Sequence, residues 1–240
     1  YDRIGSGYAP LRQEDPRIAF AMRGALGEAP RVLNVGAGAG SYEPRDCTVV
    51  AVEPSAEMIR QRPAGAAPAT QASAENLPFG NAEFDAAMAV LTIHHWSDRA
   101  RGLAEMRRVA SDRVVLLTFD PEHPGTWLGD YLPQLRDLDR AQMPPLALYG
   151  EVLGDVAITP VPIPHDCHDG FLHAYWRRPQ AYLDPRVRAG SSSFQTLSGL
   201  EQGLASLAAD LASGAWKARY GHLLEWDEFD AGYRLVIAKL

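Results

Sequence analysis

A short apolar stretch, Arg31 to Val35, runs straight into Gly36-Ala37-Gly38-Ala39-Gly40-Ser41, and this junction constrains the fold more than any other feature of the chain. A strand that ends in alternating glycines lets the backbone turn sharply and lets a ligand lie against the main chain. In open α/β sheets such loops stand at the carboxyl ends of strands, where ligands bind. A Gly-Ala-rich turn can equally be a plain strand-to-helix connection, so the loop needs a second feature to support it. Glu53 is that feature, 17 positions after Gly36, at the end of a second strand from Thr48 to Val52. A carboxylate there can accept both hydroxyls of an adenosine ribose; otherwise it is an exposed strand-end glutamate. A dinucleotide loop reads G-x-G-x-x-G, but Ser41 stands at the third glycine and the spacing here is G-x-G-x-G. The loop therefore favours a cofactor without a pyrophosphate over NAD.

The rest of the first 120 residues alternates short β-branched runs with helical stretches, the pattern of a parallel sheet with crossover helices. Asp15-Pro16 opens a helix that ends at Gly27, and Ser55 caps one through about Gln61. Ala69 to Ala74 reads as a third strand, and Phe84 to Leu91 as a fourth, apolar on both faces like a central parallel strand. Ser97 starts a helix to about Val109, and Arg113 to Phe119 is a fifth strand. Beyond Asp120 prolines punctuate a less regular region. Helices are expected from about Thr126 to Leu138 and from Leu197 to Ala212, with strands at Val156 to Val161 and Tyr233 to Leu240.

Composition excludes several classes. The net charge of −7 is evenly spread with no Lys/Arg-rich run, which argues against a nucleic-acid partner. Cys47 and Cys167 form no disulfide framework, no stretch approaches a membrane helix, and no leader opens the chain, so a cytoplasmic protein without a membrane partner is expected. A monomer or a homodimer is compatible with the sequence.

From about Arg31 to Phe119 the chain resembles the class I S-adenosylmethionine-dependent methyltransferases, in particular the "methyltransferase type 11" group. Four segments carry the resemblance in order: the loop at Gly36, Gly38 and Gly40; Glu53; Ser73-Ala74-Glu75-Asn76-Leu77-Pro78-Phe79; and Phe84 to Leu91 followed by Thr92-Ile93-His94-His95-Trp96. The resemblance implies an α/β fold: a Rossmann-like, mostly parallel seven-stranded sheet with helices on both faces and a mostly helical insertion before the last strand. It implies one methyltransferase domain over 1–240, with a lid and first helix in 1–30, the cofactor core in 31–120, a substrate-covering insertion in 121–214 and a closing segment in 215–240. S-adenosylmethionine is the implied cofactor, with S-adenosylhomocysteine as product. Gly36, Ala37 and Gly38 would wrap its methionine part, Glu53 with Pro54 the ribose, Met58 the adenine face, Ser73, Ala74 and Glu75 the adenine edge, and Leu91 the strand end facing the methyl group. The chain departs from the family at Asn34 and Ser73, where acidic residues are usual, and at Ala110-Ser111-Asp112-Arg113, which replaces a Pro-Gly-Gly turn.

Methyl transfer is an in-line displacement in which the protein aligns the acceptor and, where needed, takes its proton. His94 and His95, at the end of the fourth strand, are the candidate general bases, or they pack against the cofactor region. No Asn/Asp-Pro-Pro-Tyr tetrad follows that strand, which disfavours amide or base-nitrogen acceptors. In the N-terminal segment Tyr1 to Arg12, the resemblance offers Arg12 as a partner for the cofactor carboxylate, and Tyr1 and Tyr8 are candidate lid aromatics. His165-Asp166-Cys167-His168 with His173 lacks familiar ligand spacing and reads as a polar loop, so no metal is expected. Phe171 to Arg178 mixes aromatics with guanidinium groups at helical spacing, half core and half a candidate lining for a small, planar or anionic acceptor. The reading is methyl transfer to a small molecule on O, N or C. Its alternatives are a carbon or sulfur acceptor needing no base, an S-adenosylmethionine-binding protein without ordinary turnover, and a nicotinamide dehydrogenase.

Overall fold

The structure is a computed structural model and describes residues 12–240. The expectations for Tyr1 and Tyr8 lie outside the described residues. Helix α1 (Pro16–Leu26) starts on Asp15, whose side chain accepts the Arg17 amide, and buries Ile18, Met22, Ala25 and Leu26 on one stripe. Strands β1 (Arg31–Val35) and β2 (Thr48–Val52) follow, then α2 (Ala56–Arg60) capped by Ser55, β3 (Ala69–Thr70) and β4 (Phe84–Val90). Helix α3 (Arg99–Val109) runs directly into β5 (Ala110–Phe119).

Seven strands form one sheet in the order β3-β2-β1-β4-β5-β9-β6, where β6 is Val156–Pro160 and β9 is Tyr233–Lys239. The first five pair in parallel, and β9 runs antiparallel to both β5 and β6, so six strands share one direction. Val32 to Val35 of β1 and Ala86 to Ala89 of β4 are buried on consecutive positions, as strands covered on both faces must be. The chain order reverses between β1 and β4, and ligands of open α/β sheets bind at the carboxyl ends beside such a switch.

Between β5 and β6 lie α4 (Leu128–Tyr131), α5 (Gln134–Gln142) and α6 (Ala147–Leu153). The single helix expected from Thr126 to Leu138 is thus two, because Pro133 cannot continue the ladder of α4. After β6 come β7 (Ile163–Pro164), α7 (Pro185–Arg188), α8 (Ser193–Thr196), α9 (Leu200–Ser213), α10 (Ala215–Tyr220) and β8 (Glu228–Phe229), with β7 and β8 paired as a second small sheet. β6 is the strand expected at Val156 to Val161, within the 121–214 segment. The third strand is two residues long. Helix α3 is capped by Asp98 rather than Ser97, whose amide and hydroxyl are held by Glu75. Phe171 to Arg178 has helical spacing but folds as consecutive turns, with Trp176 locked into the core through its indole N–H on the Ile163 carbonyl.

Candidate functional site

The glycine loop leaves β1 and is pinned to β2 at once: the amides of Gly36 and Ala37 both donate to the Val52 carbonyl, at 2.8 and 2.9 Å. Gly36 has φ +69°, and a Cβ there would sit 2.3 Å from the Thr92 hydroxyl, so the loop after β4 closes directly over it. Glu53, only 6% exposed, takes the Gly38 amide on Oε2 at 2.8 Å and the Ser55 amide on Oε1 at 2.9 Å. A carboxylate oxygen has two acceptor sites, so each keeps one for a hydroxyl outside the protein. Met58 is buried beneath the loop, its methyl group close under Gly38.

Asn34 shows how the loop stands without the usual acidic residue. Its amide donates to Glu43 Oε1 at 3.1 Å, and the same oxygen pairs with Arg62 at 2.6 Å. Arg62 also donates to the Gly38 carbonyl and the Ala67 carbonyl, while Glu43 Oε2 takes the Ala67 amide. A buried carboxylate is thus present, displaced from Asn34 to Glu43. Sequence reasoning missed both Glu43 and Arg62, because neither lies within a motif.

These elements border a cleft of about 260 Å³, lined by Gly36, Ala37, Gly38, Glu53, Pro54, Met58, Ser73, Ala74, Glu75, Leu91, His95 and Arg12 among others. Every cofactor-binding candidate from the sequence is on this one wall; of the expected catalytic pair, only His95 is. Tyr42, Thr92, Trp96 and Ser97 also line it and were not singled out as ligand contacts. Glu75 is drawn into structural bonds: burial raises its pKa, but bonds from its own amide, Ser97, Asp98 and Ser73 outweigh that and leave it lowered. Ser73 therefore already has a partner in Glu75.

His94 and His95 follow β4 with their rings in contact, centroids 3.8 Å apart, yet they line different cavities. His95 is exposed on the cleft, whereas His94 faces a second, smaller pocket of about 70 Å³. Burial, followed by the neighbouring His95, Arg12 and Arg99, pushes the His94 pKa down to about 3, and its Nδ1 has no partner. That imidazole is neutral at pH 7 and weakly basic. Leu91, at φ +47°, and Arg12 are common to both cavities and form the partition between them. Arg12 Nε and Nη2 hold the two oxygens of fully buried Asp169 at 2.6 and 3.2 Å, so its charge is answered within the protein. Phe171, Leu172 and His173 line the second pocket, together with Phe119, Tyr233 and Asp139. Asp139 and His173 also border a third cavity of about 360 Å³. The 165–168 loop docks on the start of α1 instead: Asp166 pairs with Arg17, and the His168 amide donates to Asp15. Among the described residues, no three His, Cys, Asp or Glu side chains gather as a metal site. No helix among them is long and apolar enough to cross a membrane.

Residues 33–118 match the family model described as a methyltransferase domain. The chain is 36% identical to a protein of Anabaena variabilis described as a candidate methyltransferase from an antibiotic biosynthesis pathway; the likeness covers 96% of this chain and 99% of that one, with a TM-score of 0.88. An O-methyltransferase of Penicillium expansum is 26% identical over 52% of this chain and 53% of its own. A ubiquinone/menaquinone biosynthesis C-methyltransferase of Citrifermentans bemidjiense is 32% identical over 43% and 51%. The matched region spans about half the length of these curated relatives. With the strand order, the glycine loop and Glu53 in one cleft, the conclusion is direct: the chain belongs to the class I S-adenosylmethionine-dependent methyltransferases.

Proposed function

We propose that this chain transfers the methyl group of S-adenosylmethionine to a small molecule. The observation that carries the reading is Glu53, whose two oxygens each hold one backbone amide and each keep an acceptor site toward the cleft. Paired ribose hydroxyls need such a bidentate acceptor, and the absence of a third loop glycine at Ser41 fits a ligand without a pyrophosphate. When bound, S-adenosylmethionine supplies an activated methyl carbon next to a sulfonium. Gly36 to Gly38 hold the methionine part against main chain, Met58 lies under the adenosine, and Ser73 and Ala74 border the base. The second pocket, joined to the cleft across Leu91, takes the acceptor; its size supports a small molecule.

Calorimetric titration with S-adenosylhomocysteine tests this, with Glu53→Ala and NAD as comparisons. Binding in the micromolar range, about −8 kcal/mol, is expected, with at least a tenfold loss in Glu53→Ala and no heat from NAD. A folded protein that binds NAD, or that binds S-adenosylhomocysteine equally well without Glu53, refutes the assignment.

A further inference from the structure

Asp139, on α5, is a half-buried carboxyl group that faces two cavities. Its side chain has no hydrogen bond or ion pair among the described residues, and it opens on both the second and third cavities. Every other carboxylate lining the cleft or its partition is tied: Glu53 to two amides, Glu75 to Ser97, and Asp169 behind Arg12. A carboxyl group partly withdrawn from water and without a protein partner gains from a donor that a bound ligand brings.

His173 stands in the same pocket, 2% exposed. Its Nδ1 lies 3.2 Å from the Thr126 hydroxyl, which accepts the Leu128 amide at 3.3 Å. The hydroxyl can accept two bonds, but its own hydrogen finds a partner among the described residues only at Nδ1, which puts the ring proton on Nε2. Nε2 has no partner. Burial pushes the His173 pKa down to about 3, so the ring is neutral, with one acceptor side used and one donor unused. Between these groups the walls are aromatic: Phe119 and Phe171 pack on Tyr233 with ring centroids 5.4 and 4.6 Å away, and Phe119 stacks on His173 at 5.5 Å.

Resting on the methyl-transfer reading above, we propose that this pocket takes a small phenol-like acceptor whose hydroxyl proton passes to Asp139 while the His173 Nε2–H holds its oxygen. A carboxylate and a neutral N–H donor together suit an oxygen that must lose a proton and gain negative charge. A protonated amine would bring further donors against the His173 donor. In the step, the acceptor oxygen bonds to the methyl carbon as the carbon–sulfur bond breaks with its electron pair left on sulfur, and the proton moves to an Asp139 oxygen. The positive sulfonium and negative carboxylate charges cancel, leaving a thioether, a methyl ether and a carboxylic acid. Burial lifts the Asp139 carboxyl to about 7, near the working range of a base at neutral pH, whereas His94 at about 3 is too weak. The charged and titratable groups around Asp139 are Arg12, His94, His173 and Tyr233 in its own pocket and His123, Asp130, Arg136 and Asp137 in the third cavity.

The test titrates the S-adenosylhomocysteine-loaded protein at pH 8 with p-cresol, p-toluidine and p-xylene, which share one shape and differ in the hydroxyl. At least tenfold tighter binding of p-cresol than of the other two is expected. Asp139→Leu should reduce that preference below threefold while S-adenosylhomocysteine affinity stays within twofold. With S-adenosylmethionine, p-cresol methylation should rise with pH through about 7, and Asp139→Asn should cut it at least 30-fold and remove that rise. Equal binding of all three compounds, no binding of any, tighter binding of p-toluidine, bound p-cresol that is never methylated, or an unchanged rate and pH profile in Asp139→Asn overturns the proposal. Failure of S-adenosylhomocysteine itself to bind strikes the methyl-transfer reading instead, so the two outcomes are separate.

Discussion

Glu43→Ala probes the support of the glycine loop. Glu43 and Arg62 expose only 9% and 6% of their side chains and pair at 2.6 Å. Removing the carboxylate leaves the Arg62 charge buried without its counter-ion and also strands the Asn34 amide and the Ala67 amide that Glu43 accepts. Breaking one side of a buried pair costs about 3–5 kcal/mol, because the remaining charge stays desolvated. A loss of about 4 kcal/mol in urea unfolding is expected. Arg62 also holds the Gly38 carbonyl at 3.2 Å, and Gly38 donates to Glu53, so Glu53 loses its register with the loop. S-adenosylhomocysteine affinity should fall about tenfold, or about 1.4 kcal/mol. The double variant Glu43→Ala/Arg62→Met removes both charges and should lose at least about 2 kcal/mol less than the two single losses summed. A Glu43→Ala protein within about 1 kcal/mol of the parent, or strictly additive losses in the double variant, would refute the brace.

Gly36→Ala sets a Cβ at φ +69° and 2.3 Å from the Thr92 hydroxyl. The backbone alone costs about 1–3 kcal/mol, so calorimetry should show S-adenosylhomocysteine binding at least tenfold weaker, partly restored by Thr92→Ala; undiminished binding would mean the loop is not held as described. Asp139 is raised from its ordinary 3.8 to about 7 by burial, so ionising it opposes folding: the penalty is absent below about pH 4, grows between 4 and 7, and is complete above. Asp139→Asn should therefore stabilise the protein by about 2 kcal/mol at pH 8, roughly half of what the full displacement carries at about 1.36 kcal/mol per pH unit. It should leave stability unchanged at pH 4, and equal urea midpoints at pH 8 would show that the carboxyl is not desolvated.

The cofactor side of the molecule was legible because its constraints are local. A strand running into Gly36-Ala37-Gly38 and a second strand ending on Glu53 are contiguous patterns, and the sheet brings them together by its parallel register, Val35 beside Val52. The brace was not legible. Glu43 and Arg62 lie in connecting segments whose only signal was the missing charge at Asn34, which says that support is needed and not where it comes from. The second pocket was less legible still. Its lining comes from α5, the turns after residue 170 and β9, and the spacing of Phe171 to Arg178 suggested a helix that packing replaced with turns. The His pair misled in a specific way: the two rings touch, yet the cavities part just there, so only His95 lines the cleft.

The partition between the two cavities explains why they can act as one site. Arg12 lies on both, and Asp169 behind it accepts the Tyr42 hydroxyl at 2.9 Å. Tyr42 follows the glycine loop, and its oxygen also accepts the Asp15 amide; Asp15 in turn takes the amide of His168, next to Asp169. The glycine loop, the start of α1 and the loop leading to Phe171 and His173 are thus closed into a ring of buried polar contacts. Two carboxylates already meet this ring, Asp169 answered by Arg12 and Asp15 by Arg17. A further one brought to Arg12 adds a negative charge without a cation of its own, at the desolvation cost that burial imposes. The guanidinium therefore serves best as a fixed wall that aligns the two cavities across Leu91. On the methyl-transfer reading proposed above, this ring holds the two cavities in the register that in-line transfer requires.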